Sequence, residues 1–147
     1  LVCQNIQRGL STIHRDIEKG LGFYPNDSFD YVILSQTIQT IMNVEKVFAE
    51  LLRVGKRVLV SFPNFAYWKC RVDLMFRGKA PRSKELPYQW YDSPNVHFCS
   101  LSDFEKFCRD HGIRIENKIP LRKTGISPLR FLPNILAEQA VYVTSKK

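Results

Sequence analysis

Residues 31–62, YVILSQTIQTIMNVEKVFAELLRVGKRVLVSF, decide the fold. Tyr31-Val32-Ile33-Leu34 is a continuous apolar run, the pattern of a strand whose two faces are both covered by helices in a parallel sheet. Asn43 stands where an N-cap belongs, and Val44, Val47, Phe48, Leu51 and Leu52 recur at helical spacing until Gly55 supplies the stop. Lys56-Arg57 then leads into a second buried run, Val58-Leu59-Val60-Ser61-Phe62, closed by Pro63-Asn64. Strand, helix and strand in this order form a βαβ unit, whose crossover is expected to be right-handed.

Working outward, Ser11-Thr12-Ile13-His14-Arg15-Asp16-Ile17 reads as a short strand that ends at an acidic residue, before the turn-rich Gly20-Leu21-Gly22 and Pro25-Asn26-Asp27-Ser28. On the other side, residues 65–78 carry a helical pattern with Trp68, Val72, Met75 and Phe76 on one face and Lys69, Arg71 and Arg77 elsewhere. Residues 79–95 read as a long loop rich in Pro and aromatics. Ser100 with Asp103 resembles a capping box, and Leu101, Phe104, Phe107 and Cys108 form the core stripe of a helix ending at Gly112. Ile113, Ile115, Asn117 and Ile119 alternate with Arg114, Glu116 and Lys118, a period-two strand. Ala140-Val141-Tyr142-Val143-Thr144 is the last strand, expected to return antiparallel to its neighbour.

The expected fold class is therefore α/β: parallel strands followed by a terminal antiparallel pair, as in the second half of a doubly wound, Rossmann-like sheet. Such sheets place ligands at the carboxyl ends of their strands. That rule singles out Asp16-Ile17, Ser35-Gln36-Thr37 and Pro63-Asn64.

With 147 residues, 44% hydrophobic and 24% charged, the chain has the mix of one soluble globular domain. Its apolar runs fall far short of the roughly 20 residues that span a bilayer, so no membrane association is expected. Leu1-Val2-Cys3-Gln4-Asn5 has neither an initiator Met nor the features of a signal peptide, which leads to the expectation of an N-terminally truncated cytoplasmic chain. Cys3, Cys70, Cys99 and Cys108 contain no C-x-x-C pair, so reduced, partly buried thiols are expected ahead of a catalytic cysteine. The three histidines, His14, His97 and His111, are scattered and make no metal motif. The net charge of +8 is uneven: residues 69–84 hold six Lys or Arg against one Asp, and residues 118–147 hold six against one Glu. Such patches attract acidic partners, although solvated surface is the default reading.

Five segments together resemble the MetW family: DSFDYVILSQT (27–37), SFPNF (61–65), LPYQWYD (86–92), SPNVH (93–97) and Asp103-Phe104. The resemblance runs from about Gly9 to Tyr142. DSFDY is shared by many methyltransferases; the combination of SFPNF with LPYQWYDSPNVH is far more specific. The family is associated with methionine biosynthesis and has the class I S-adenosylmethionine methyltransferase fold. The resemblance implies a single MetW-like domain over 1–147, lacking the cofactor loop that reads like D-L-G-C-G-x-G and the ribose-binding acid of the following strand. It also implies two further strands between the strand ending at Asp16 and that of Tyr31–Leu34. Gly20 and Gly22 follow the wrong strand and lack the third glycine and the helix opening of such a loop.

By the same resemblance, the cofactor would be S-adenosylmethionine, held weakly or not at all by these residues alone. Asp16 would accept the adenine amino group with the backbone of Ile17 on the ring; a cap or turn acid is the competing reading. Ser35, Gln36 and Thr37 would lie beside the methionine and sulfonium. No catalytic residue is assigned. His97 beside Tyr88, Trp90 and Tyr91 reads as a structural residue that pins its loop. Lys69, Arg71, Arg77, Lys79, Arg82 and Lys84 form a candidate docking surface. The leading function is an accessory protein that binds a homoserine O-acyltransferase of the MetX type. The alternatives are a methyltransferase of an unidentified small acceptor and, last, a basic nucleic-acid-binding domain without any helix-turn-helix, zinc or RNP pattern.

Overall fold

The computed structural model describes residues 8–9, 11, 13, 15–82, 86–122 and 131–147. Four strands, β1 (Phe29–Ser35), β2 (Gly55–Pro63), β3 (Ile113–Leu121) and β4 (Gln139–Lys146), form one sheet in the order β1-β2-β4-β3. β1 runs parallel to β2, with Phe29 opposite Gly55 and Ser35 opposite Ser61. β4 is antiparallel to both neighbours, and its pairing with β3 shifts register between Ile115 and Asn117. Parallel strands followed by a terminal antiparallel pair are thus present as the sequence pattern implied.

The βαβ crossover is helix α1 (Val44–Val54), started by the Asn43 side chain, which accepts the Lys46 N–H at 3.0 Å. Val47, Phe48, Leu51, Leu52 and Val54 are buried, so the helix lays its apolar stripe on the sheet. Gly55 ends it by a different route from the left-handed cap expected of a helix-stopping glycine. Its backbone is already extended, and a Cβ there would stand 2.5 Å from Val32 Cγ2. Glycine is required because two strands approach too closely for any side chain.

Helix α2 (Trp68–Arg77) ends at Gly78, whose φ of 59° is the left-handed cap that glycine favours. Helix α3 (Leu101–Asp110) begins with the complete capping box: Ser100 Oγ accepts the Asp103 N–H and Asp103 accepts the Ser100 N–H. The short α4 (Pro133–Leu136) precedes β4. The main core lies between the sheet, α1 and α3, where Val58, Val60, Phe62, Leu101, Phe104 and Tyr142 are buried. Phe62, Phe104 and Tyr142 meet with ring centroids 4.8 to 5.8 Å apart.

Two expectations are corrected, and one helix face is given its environment. The described residues of the expected first strand are not part of this sheet: Ile17–Lys19 form a 3-10 turn, and Ser11, Ile13, Arg15 and Asp16 carry no strand pairing. Asp16 starts that turn by accepting the Glu18 N–H at 3.0 Å, so the local hydrogen bond wins over the weak alternation. β1 is covered on one face only, since Leu34 is buried while Tyr31 and Ile33 are 55% and 70% exposed. The apolar face of α2 points away from the core, with Met75 and Phe76 71% and 74% exposed. Leu1–Asn5, Cys3, Thr12, His14, Lys84 and the connection at 123–130 lie outside the described residues.

Candidate functional site

The parallel strands β1 and β2 end side by side, and their last residues bring polar groups together. Ser35 pairs with Ser61, and the two hydroxyls are 3.4 Å apart. Gln36 then turns with φ of 51°, a left-handed backbone unusual for a residue with a side chain. Its N–H is held by Ser61 O at 3.0 Å, and its Nε2 donates to Gln139 Oε1 at the start of β4, 3.2 Å away. Thr37 Oγ1 donates back to Ser35 O at 2.7 Å. Ser35 and Gln36 are exposed at this tip, so the strand ends present hydroxyl and amide groups to solvent or ligand.

Gln39 supports the tip from below. It is buried, its side-chain amide donates to Gln36 O, and its backbone carbonyl accepts the N–H groups of Val96 and His97. Its Oε1 is buried with no partner, a polar atom whose burial is uncompensated among the described residues. Asn64, after β2, is only 1% exposed and fully used: Nδ2 donates to Asn134 O and Ala137 O, and Oδ1 accepts the Ala66 N–H. It is a structural pin joining the tip of β2 to the approach to β4.

Asp16 and Ile17 lie on a separate support. Glu18 reaches the Met42 N–H, and the Leu21 N–H bonds Glu50 of α1, which fixes the turn against the crossover helix. Ile17 packs half-buried against the core, while Asp16 stays exposed at a hollow of about 450 Å³ that Arg15, Lys19 and Gly20 complete. Beyond Thr37, Ile38, Met42, His97, Phe98, Asp103 and Phe107 line a second hollow of about 400 Å³, largely apolar. His97 pins its loop as expected, with Nε2 3.3 Å from Met42 O.

Several other titratable groups serve the packing of the domain. Burial pushes the Cys99 and Cys108 thiols up to about 12, with Asp103 and Glu105 respectively adding to it, which keeps both protonated at neutral pH. Burial likewise raises the pKa of Tyr142, whose hydroxyl donates to Glu105, itself paired with Lys118. Arg53 and the Leu21 N–H hold the Glu50 carboxyl down at about 2. Among the described residues no three His, Cys, Asp or Glu side chains gather as a metal site, and no helix is long and apolar enough to cross a membrane.

The model of the family "Methionine biosynthesis protein MetW" matches residues 1–144. The chain belongs to the MetW family. The bifunctional methionine biosynthesis protein MetXA/MetW of Rhodopirellula baltica is 34% identical over 113 residues, which are 76% of this chain and 18% of that relative. The MetW-family chain therefore spans a small part of that protein. Among solved structures, a SAM-dependent methyltransferase from Thermotoga maritima superposes with a TM-score of 0.63 at 20% identity, over 97% of this chain and 66% of the other. One from Mesorhizobium loti gives 0.60 at 15% identity, over 92% and 69%. At these identities the likeness shows the fold, which is that of the class I S-adenosylmethionine methyltransferases.

Of the residues singled out from sequence, Ser35, Gln36 and Thr37 do meet at one strand tip, and Asp16 and Ile17 stand on another support. Ser61, Gln39 and Gln139 were not singled out. Ser61 carried a signal, as a lone hydroxyl at the end of a buried run. Gln139 became visible only with the β2–β4 register.

Proposed function

We propose that this MetW-family chain is an accessory protein of methionine biosynthesis that binds a homoserine O-acyltransferase of the MetX type and raises its rate. The observation that carries the reading is the Rhodopirellula baltica relative, whose name joins MetXA and MetW in one polypeptide. Fusion gives two modules a high effective concentration for each other, a gain realised only if their contact is useful. Residues 1–147 act in this reading as one MetW-like domain, in the cytoplasm. The test is to mix the purified chain with the acyltransferase of the same organism. Co-purification and a faster acyl transfer are expected; no binding at micromolar concentration, or binding with an unchanged rate, contradicts the proposal.

A second reading is favoured by the methyltransferase fold: a site for S-adenosylmethionine at the strand tips. Ser35, Gln36 and Thr37 suit the methionine end, and the exposed carboxylate of Asp16 suits the adenine amino group. The group fits these two ends, while the 147 residues hold no D-L-G-C-G-x-G turn for the rest. When bound, the cofactor supplies a methyl on a sulfonium, and transfer from it needs mainly in-line positioning. Calorimetry with S-adenosylhomocysteine is expected to give weak binding to this chain and strong binding to a MetW-family protein that has the glycine-rich turn. Equal affinity after replacing Gln36 and Thr37 by Ala in that protein contradicts the assignment.

A further inference from the structure

Helix α2 is built inside out. Its protein-facing side is narrow: Cys70 packs with Tyr67 and Leu86 in a small cluster, with Phe65 beside them, separate from the main core. The broader apolar side, Trp68, Val72, Met75 and Phe76, lies at i, i+4, i+7 and i+8 and is 38% to 74% exposed. An exposed apolar helix face in a folded domain marks a contact surface.

The charge around that face is one-sided. Residues 68–82 hold Lys69, Arg71, Arg77, Lys79 and Arg82 against Asp73 alone, and Asp73 pairs with Arg77 at 2.9 Å. Among the described residues no carboxylate neutralises the other four. Lys69 lies over the Trp68 ring at 5.6 Å, Arg71 is anchored on Ala66 O at 2.7 Å, and Arg82 on Pro87 O at 3.3 Å. These cations are held in place, which suits a shaped surface with fixed carboxylates better than a fluid headgroup layer. A phosphate backbone would engage the cations and leave Val72 and Met75 uncovered.

We propose that this face of α2 is the docking surface for the acyltransferase and receives an apolar patch on that enzyme bordered by Asp and Glu side chains. The inference rests on the accessory reading and adds the place of contact. An apolar centre supplies the affinity and the opposed charges set the orientation and speed of encounter.

The experiment measures the affinity of the acyltransferase, by calorimetry, for the native chain, for M75E/F76E and for M75L/F76L. Both positions are solvent-facing, so the unfolding midpoint of each variant should match the native one. The expected result is binding that M75E/F76E weakens by about tenfold or more, that M75L/F76L leaves within about twofold, and that added salt weakens. Equal affinity of native and M75E/F76E overturns this surface and leaves the accessory reading standing; no binding by the native chain overturns both. Binding of the native chain to phosphatidylglycerol vesicles that M75E/F76E abolishes, with acyltransferase affinity unchanged, overturns the proposal in favour of a lipid surface.

Discussion

The two sides of this molecule are finished to different degrees. On the β2–β4–β3 side, Val58, Val60, Phe62 and Tyr142 are wholly buried and strands pair on both edges of β2 and β4. Elsewhere, Tyr31 and Ile33 of β1 face outward, and α2 turns its apolar side to solvent. The difference teaches where stability and function reside. The closed half holds the chain together; the tips of β1 and β2 and the exposed face of α2 are where ligands and partners are proposed to bind.

The largest effect that separates the halves is a cavity. Phe62→Ala removes a ring stacked on Tyr142 and should cost about 3–5 kcal/mol in urea unfolding, whereas Ile33→Ala should cost under about 0.5 kcal/mol. Comparable losses would break the division. Next is Gly55→Ala at the seam between β1 and α1. The new Cβ collides with Val32, so a loss of about 1–3 kcal/mol is expected, partly recovered when Val32→Ala is added. Absence of rescue would place the strain elsewhere.

Smaller again is Ser100→Ala, which deletes half of the α3 capping box and should lower stability by about 1 kcal/mol. Smallest is the pH response of Glu50, whose folded pKa of about 2 lies below the ordinary 4.5. A depressed carboxyl stabilises above its unfolded pKa and loses that contribution as pH falls through the folded value. The native chain should therefore exceed Glu50→Gln by about 1 kcal/mol or less at neutral pH, and the gap should close between pH 4.5 and 2. A gap that persists to acid would show that shape, not charge, is at work.

The closed half was legible in the sequence because its signals are local and agree. The apolar run at Val58–Phe62, the Asn43 and Ser100 caps and the alternation at Ile113–Ile119 each specify an element, and each element forms. Elsewhere the sequence was silent or misleading where a pattern has two physical outcomes. Periodicity put Trp68, Val72, Met75 and Phe76 on one face of a helix but carries no information on what that face meets. Alternation at Ser11–Ile17 was too weak to outweigh Asp16, whose side chain prefers the backbone two residues on. Of the candidate site, Ser35–Thr37 could be found from the end of a buried strand. The roles of Gln39, Asn64 and Gln139 depend on contacts between distant segments, which spacing does not encode.

The most direct test of the two-sided account is amide hydrogen exchange on the chain alone and mixed with the MetX-type acyltransferase. The account predicts new protection over residues 68–82 and unchanged exchange in β4, which is paired with a strand on either side. Protection that appears on β3 and α3 while residues 68–82 stay unchanged would contradict it.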